Sequence, residues 1–159
     1  MIKLHLILLF ICLIAINARG QKKCMSFQEA KECGIIIENL DSLYPNAVHA
    51  DSTVYAVFRG KENEFYNAYV QMLQDLGTLL KEKGFLWEKP TWCFNKIYLS
   101  KDGKIDYFLY NFRKGEISNE KLKEFNKLIN KFQEEFNFGI PAENNFSQCG
   151  PVTYMDKKE

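Results

Sequence analysis

The stretch CFNKIYLSKDGKIDYFLYNF, residues 93–112, constrains the fold of this chain more than any other. Two apolar, aromatic-rich runs flank Asp102-Gly103, and an Asp-Gly pair between such runs predicts a β-hairpin. Both strands carry apolar side chains on both faces. Ile97 and Leu99 alternate with Phe94 and Tyr98, and Ile105, Tyr107 and Leu109 alternate with Phe108, Tyr110 and Phe112. Strands of that kind lie inside a sheet that is covered, at least in part, on each side. A two-residue Asp-Gly turn and a three-residue Lys101-Asp102-Gly103 turn with Gly103 as bulge both fit. They differ by one residue, which exchanges the facing pairs.

Two amphipathic helices flank the hairpin. Phe65, Tyr69, Met72, Leu73, Leu76, Leu79 and Leu80 recur at steps of three and four, with Glu62 and Glu64 before them. Lys81 and Lys83 follow, and Gly84 supplies the stop. After the loop Arg113 to Ile117, Ser118 is an N-cap for a second helix whose apolar face is Leu122, Phe125, Leu128, Ile129, Phe132 and Phe136. Gly139 and Pro141 end it. Its Lys and Glu residues form a solvated face rather than a binding patch.

Upstream, Ser26-Phe27-Gln28-Glu29 reads as a capping box opening a short helix that Gly34 stops. Ile35 to Ile37 is a brief β-branched run, and Leu40 to Tyr44 forms another helical turn before Pro45. TVYAVF, Thr53 to Phe58, is a strand candidate. Trp87 and Trp92 either present an aromatic platform for a sugar or peptide or pack over the end of the sheet; packing is the commoner fate of large aromatics. Phe146 to Met155 is the last strand, and Pro151 assigns it to an edge.

The chain of 159 residues opens with Lys3, an apolar run from Leu4 to Ile16 and the small-residue site Ala18-Arg19-Gly20. That is the pattern of a secretory signal peptide over residues 1–20, cut before Gln21. About thirteen apolar residues fall short of the ~20 that span a bilayer, so no stable membrane insertion is expected after cleavage. Residues 21–159 suit one domain with a core of its own. Without Lys3 and Arg19 they carry 19 basic against 20 acidic residues, unlike the basic footprint of a nucleic-acid binder. The expected location is the periplasm or the extracellular medium.

Four cysteines remain after cleavage: Cys24, Cys33, Cys93 and Cys149. An even number in an exported chain points to disulfides, and the absence of a C-x-x-C removes the thioredoxin motif. Nothing has the short Cys/His spacing that zinc needs, so no metal or other cofactor is expected. His49 is the one histidine after residue 20. It confines Cys-His or Ser-His catalysis to a single base, with no nucleophile in a recognisable elbow. SKDGKID (100–106) lacks the alternating ligands and closing Glu of a calcium loop. No phosphate-binding glycine loop or glycosidase carboxylate pair stands out.

From Thr53 onward the order is strand, long helix, hairpin, helix, strand. It predicts an α+β two-layer sandwich, a small and mainly antiparallel sheet covered by two helices. The β-α-β-β-α-β order matches the ferredoxin-like pattern. Residues Cys93–Met155 also resemble the C-terminal domain of TonB-type energy transducers. There the family's aromatic-x-Phe, Pro-Ala and Pro-Val correspond to Phe136, Phe138, Pro141-Ala142 and Pro151-Val152. The chain as a whole resembles small exported proteins of Bacteroidota. The TonB resemblance implies a shared fold and binding of an extended peptide along the last strand, at Val152, Thr153 and Tyr154. Lacking a Pro-rich spacer, the chain is not expected to transduce energy. In that topology the last strand lies antiparallel beside the first hairpin strand, which implies a Cys93–Cys149 disulfide. Cys24 and Cys33 remain as the second pair, although an intervening helix would hold them about 13 Å apart.

The function expected is therefore a non-catalytic exported domain that binds a protein or peptide partner, with no catalytic residue assigned. The alternatives are a small secreted hydrolase using His49 with a Cys or Ser, or a secreted inhibitor or neutralising protein.

Overall fold

The computed structural model describes residues 23–156. The expected signal peptide, residues 1–20, and its cut before Gln21 lie outside the described residues. The protein is an α+β two-layer sandwich. In chain order the elements are β1 (Lys23–Ser26), α1 (Phe27–Glu32), α2 (Ile37–Leu43), α3 (Glu62–Glu82), β2 (Thr91–Leu99), β3 (Ile105–Phe112), α4 (Asn119–Glu135) and β4 (Phe146–Tyr154). The sheet runs β1-β3-β2-β4. Both neighbours of β2 are antiparallel to it, and β1 pairs parallel with β3.

The hairpin takes the three-residue turn. The Gly103 N–H donates to the Ser100 carbonyl (2.9 Å) and the Ser100 N–H to that of Lys104 (2.8 Å), with Gly103 at φ +78°. One register shift between Tyr98 and Leu99 then sets the faces. Cys93, Asn95, Ile97, Leu99, Phe108 and Tyr110 point into the main core, where α3 contributes Phe65, Met72, Leu76 and Leu80 and α4 contributes Phe125, Leu128, Ile129 and Phe132. Each Leu, Ile, Met and Phe among them contributes roughly 1.5–3 kcal/mol on burial. The opposite face holds Tyr98 and Leu109 under Ala30 and Leu40 of the short helices.

Polar contacts hold α2 on that second face. The Tyr98 hydroxyl donates to Asp41 (2.9 Å), the Lys96 ammonium pairs with the same carboxylate (2.6 Å), and the Tyr44 hydroxyl donates to Asp106 (2.8 Å). Ser26 caps α1 with the full capping box: Glu29 N–H donates to its Oγ, and the Glu29 carboxylate accepts from the Ser26 N–H.

Several expectations are corrected. Thr53–Phe58 is not a strand but a chain of turns. Its buried Ala56 and Phe58 cap one end of the core, and its Val57 and Phe58 N–H groups donate to Asn46 and Ala47. Ile37 opens helix α2 instead of closing a β-branched run. The first strand of the sheet is β1. Because β4 lies beside β2 and away from β1, the ferredoxin-like order does not apply, whereas the adjacency implied by the TonB resemblance is present.

The disulfides are corrected too: Cys24, Cys33, Cys93 and Cys149 are all free thiols. Cys93 stands opposite Val152, while Cys149 stands opposite Lys96. An offset of three residues puts the two sulfurs on opposite faces, with Cα atoms about 11 Å apart, beyond the ~7 Å a bridge allows. Cys24 is buried on β1, where its thiol donates to Asn126 Oδ1 at 3.4 Å, and Cys33 is exposed beyond α1.

Candidate functional site

Strand β4 is an edge, and its outer rim is open along one half. The Ser147 N–H donates outward to the Pro45 carbonyl (2.9 Å), and the Ser147 carbonyl accepts from Ala47 (2.8 Å). Residues 45–47 thus cover the start of the strand, so the expected free edge from Phe146 shortens to Cys149 onward. Main-chain groups alternate along an antiparallel pair, and the β2–β4 register is unbroken. Cys149, Pro151 and Thr153 therefore direct their backbone outward like Ser147, while Gln148, Gly150, Val152 and Tyr154 bond to β2. Pro151 falls at a position whose missing N–H costs no ladder bond. The Cys149 carbonyl takes the Gln148 side-chain amide (3.1 Å). Among the described residues the Cys149 and Thr153 N–H groups and the Pro151 and Thr153 carbonyls have no partner.

Beside this rim runs a groove of about 690 Å³ between β4 and α3. Val70, Leu73, Gly77 and Thr78 form its helical wall, Val152 to Met155 its strand wall, and Phe85 and Trp87 its end. Helix α3 is held over the sheet by the Phe65, Met72, Leu76 and Leu80 stripe, which leaves Val70 half exposed on the flank next to β4. The end wall is fixed by a stack: the Trp87 indole lies 4.7 Å from the Tyr154 ring at 9°. Asp156 accepts from the Trp87 and Glu88 N–H groups (3.0 and 3.1 Å), closing the same corner.

The three residues expected at the edge thus have different places. Thr153 is exposed on the open rim, Val152 is half-buried in the groove wall, and Tyr154 is buried. The Tyr154 hydroxyl accepts from Asn95 Nδ2 at 2.6 Å, and Asn95 Oδ1 accepts from the Cys93 thiol at 3.2 Å. Burial raises the Tyr154 phenol well above its ordinary value and pushes the Cys93 thiol up to about 12. Trp87 packs in the core, and Trp92 lies half-buried with the Arg113 guanidinium 4.4 Å above its ring.

His49 is exposed in the 46–60 loop, where its Nδ1 accepts from the Asp51 N–H at 3.1 Å. Thr53 donates twice to the Asp51 carboxylate and holds it below the usual carboxylate range, with His49 and Arg59 adding smaller effects. Among the described residues no Cys or Ser side chain meets the His49 ring. Cys24 and Cys93 are buried and their thiols raised, the opposite of an activated nucleophile. Among the described residues no three metal-ligating side chains converge, and no helix is long and apolar enough to cross a membrane.

The helical wall was missed by sequence reasoning. Its signals were Val70, an apolar residue outside the buried stripe, and Gly77 in the middle of a 21-residue helix. Fold and groove define a small α+β domain with an open edge along β4 and an apolar channel beside it. No family model, curated protein or solved structure matches the chain.

Proposed function

We propose that this chain is an exported, non-catalytic binding domain that takes an extended segment of a protein or peptide partner as an added strand on β4. The observation that carries the reading is the rim from Cys149 to Thr153, whose outward main-chain groups other than the Cys149 carbonyl have no partner among the described residues, lying directly beside an apolar groove. Strand addition draws affinity from main-chain hydrogen bonds and specificity from pockets that receive alternate side chains. Natural sheets blunt their edges with charges, bulges or covering loops. Here a loop covers only the start of β4, Pro151 interrupts the middle, and Phe146 to Met155 contains no charged residue. The resemblance of residues 93–155 to TonB-type C-terminal domains supports the same mode. Export to the periplasm or the extracellular medium rests on the charged start, short apolar run and Ala18-x-Gly20 site.

The test is selection of a displayed library of unstructured peptides on the purified protein and two variants. Thr153→Pro removes an outward donor and leaves the β2 ladder intact; Thr153→Val keeps the donor. Wild type and Thr153→Val should enrich the same peptides, and Thr153→Pro, folded by circular dichroism, should not. Equal enrichment by Thr153→Pro, or none by wild type, would falsify the reading.

A further inference from the structure

Gly77 sits mid-helix in α3, in the helical wall of the groove, and a Cβ built there meets nothing within 4 Å. Glycine inside a helix costs about 1 kcal/mol relative to alanine. At Gly77 neither a turn, a positive φ nor a neighbouring atom of the fold requires it. What the missing side chain leaves is depth in the channel.

Charge distribution narrows what can fill that depth. The channel's charged groups are Lys81, Glu82 and Asp156, all where α3 ends, and the Asp156 carboxylate is engaged by two backbone N–H groups. Among the described residues, the lining between Val70 and Gly77 on one side and Val152 and Met155 on the other is uncharged. A charge in the middle of an occupant would lose its water and meet no counter-charge. An occupant must therefore be neutral along the strand, with any charge at the end beside Lys81 and Asp156.

We infer that the groove over Gly77 selects an uncharged extended segment with a large aliphatic or aromatic side chain at the position facing α3. The inference rests on strand addition at β4. Side chains alternate along an added strand, so every second one projects onto the face that carries Val152 and Tyr154, and hence into the channel. Gly77, where a Cβ would meet open space, leaves room for that side chain, and Val70, Leu73 and Val152 supply apolar walls.

The experiment uses fluorescein-labelled pentapeptides Thr-Val-Xaa-Val-Thr with Xaa as Leu, Phe, Ala, Asp or Lys, titrated with protein by fluorescence anisotropy. Wild type should bind the Leu and Phe members about tenfold or more tighter than the Ala member, and the Asp and Lys members weakest. Gly77→Leu fills the channel from within and should reduce the Leu and Phe members to the level of Ala, while the Ala member keeps its affinity. Thr153→Pro should weaken all members together. Gly77→Ala checks the fold and should melt higher than wild type. Loss of affinity in Thr153→Pro without any preference among the side chains overturns the groove inference and leaves the edge reading standing. A preference that Gly77→Leu does not alter also overturns the groove inference. Insensitivity to Thr153→Pro, or no binding by any member, overturns both. Sedimentation run alongside covers the remaining occupant: a wild-type dimer that Gly77→Leu converts to monomer assigns the groove to a second copy and overturns the inference.

Discussion

Trp87 and Tyr154 stack face to face, centroids 4.7 Å apart, and so join the exit of α3 to the last residue of β4. The same tyrosine is the acceptor for the buried Asn95 amide. One ring pair therefore fixes the height of the helical wall above the strand wall. Trp87→Ala should cost about 3–5 kcal/mol by urea unfolding, through the lost burial and the cavity left behind. Tyr154→Phe keeps the stack but strands Asn95 Nδ2, and should cost about 1–2 kcal/mol. Equal losses from the two variants would show that the hydrogen bond, rather than the stack, fixes the corner.

Gly103 closes the hairpin against the residues that follow α4. At φ +78°, a Cβ on Gly103 would lie 2.7 Å from Asn137 Oδ1 and 2.8 Å from the Phe138 carbonyl oxygen, which is backbone. The Gly103 carbonyl accepts from the Phe138 N–H at 2.8 Å, so the approach cannot relax without losing that bond. Gly34 has nearly the same φ, +75°, with nothing within 4 Å. Gly34→Ala should therefore cost only the left-handed strain, about 1 kcal/mol, whereas Gly103→Ala should cost about 2–4 kcal/mol. Thermal melts of the pair separate backbone strain from contact.

Helices α3 and α4 and the hairpin were legible because their signals are local: a 3.6-residue stripe, a cap, an Asp-Gly turn. The turn type was not, because Gly103 is selected by Phe138, 35 residues away. Thr53–Phe58 reads as a strand by composition, yet Ala56 and Phe58 serve as a plug in the core, and their alternating burial along a run of turns mimics a strand. Strand β1 is only four residues long, and its Ser26 also caps α1, so the helix signal masked it. At the site, Pro151 marked the edge. The channel needed the placement of α3 over β4, which no local pattern encodes.

The proposed export rests on Ala18-Arg19-Gly20 and the short apolar run, and it implies a cut before Gln21. Mass spectrometry of the protein recovered from the periplasm or medium of its producing cell should give a chain starting at Gln21. A full-length chain in the cytoplasm contradicts export.

With Cys93 and Cys149 on opposite faces of neighbouring strands, the protein, if cut before Gln21 as proposed, should show four thiols and no bridge. Ellman's reagent should titrate about two promptly, Cys33 and Cys149, which are exposed. Cys24 and Cys93 should react only in denaturant. Two equivalents in denaturant, with peptide mapping of a Cys93–Cys149 link, would require a different β2–β4 register.

Alkaline pH should unfold the protein before acid does. Burial is the leading cause raising the Cys24 and Cys93 thiols and the Tyr44, Tyr69, Tyr98, Tyr110 and Tyr154 phenols above their ordinary values of 9.0 and 10.0. Because the folded state holds these protons more tightly than the unfolded chain, their contribution is complete below the unfolded values. It falls as pH rises past about 9 and then 10, by up to about 1.4 kcal/mol per pH unit for each group. The melting temperature should be level from pH 6 to 8 and drop steeply beyond. Tyr69 isolates one term, because its hydroxyl is buried without a hydrogen-bond partner among the described residues. Tyr69→Phe removes an unpaired polar group and should stabilise the protein by about 0.5–1 kcal/mol at pH 7. It also removes a proton that the unfolded chain would release, so its advantage over wild type should widen by pH 10.5. Parallel melting curves for the two proteins across that range would contradict the burial of the Tyr69 hydroxyl.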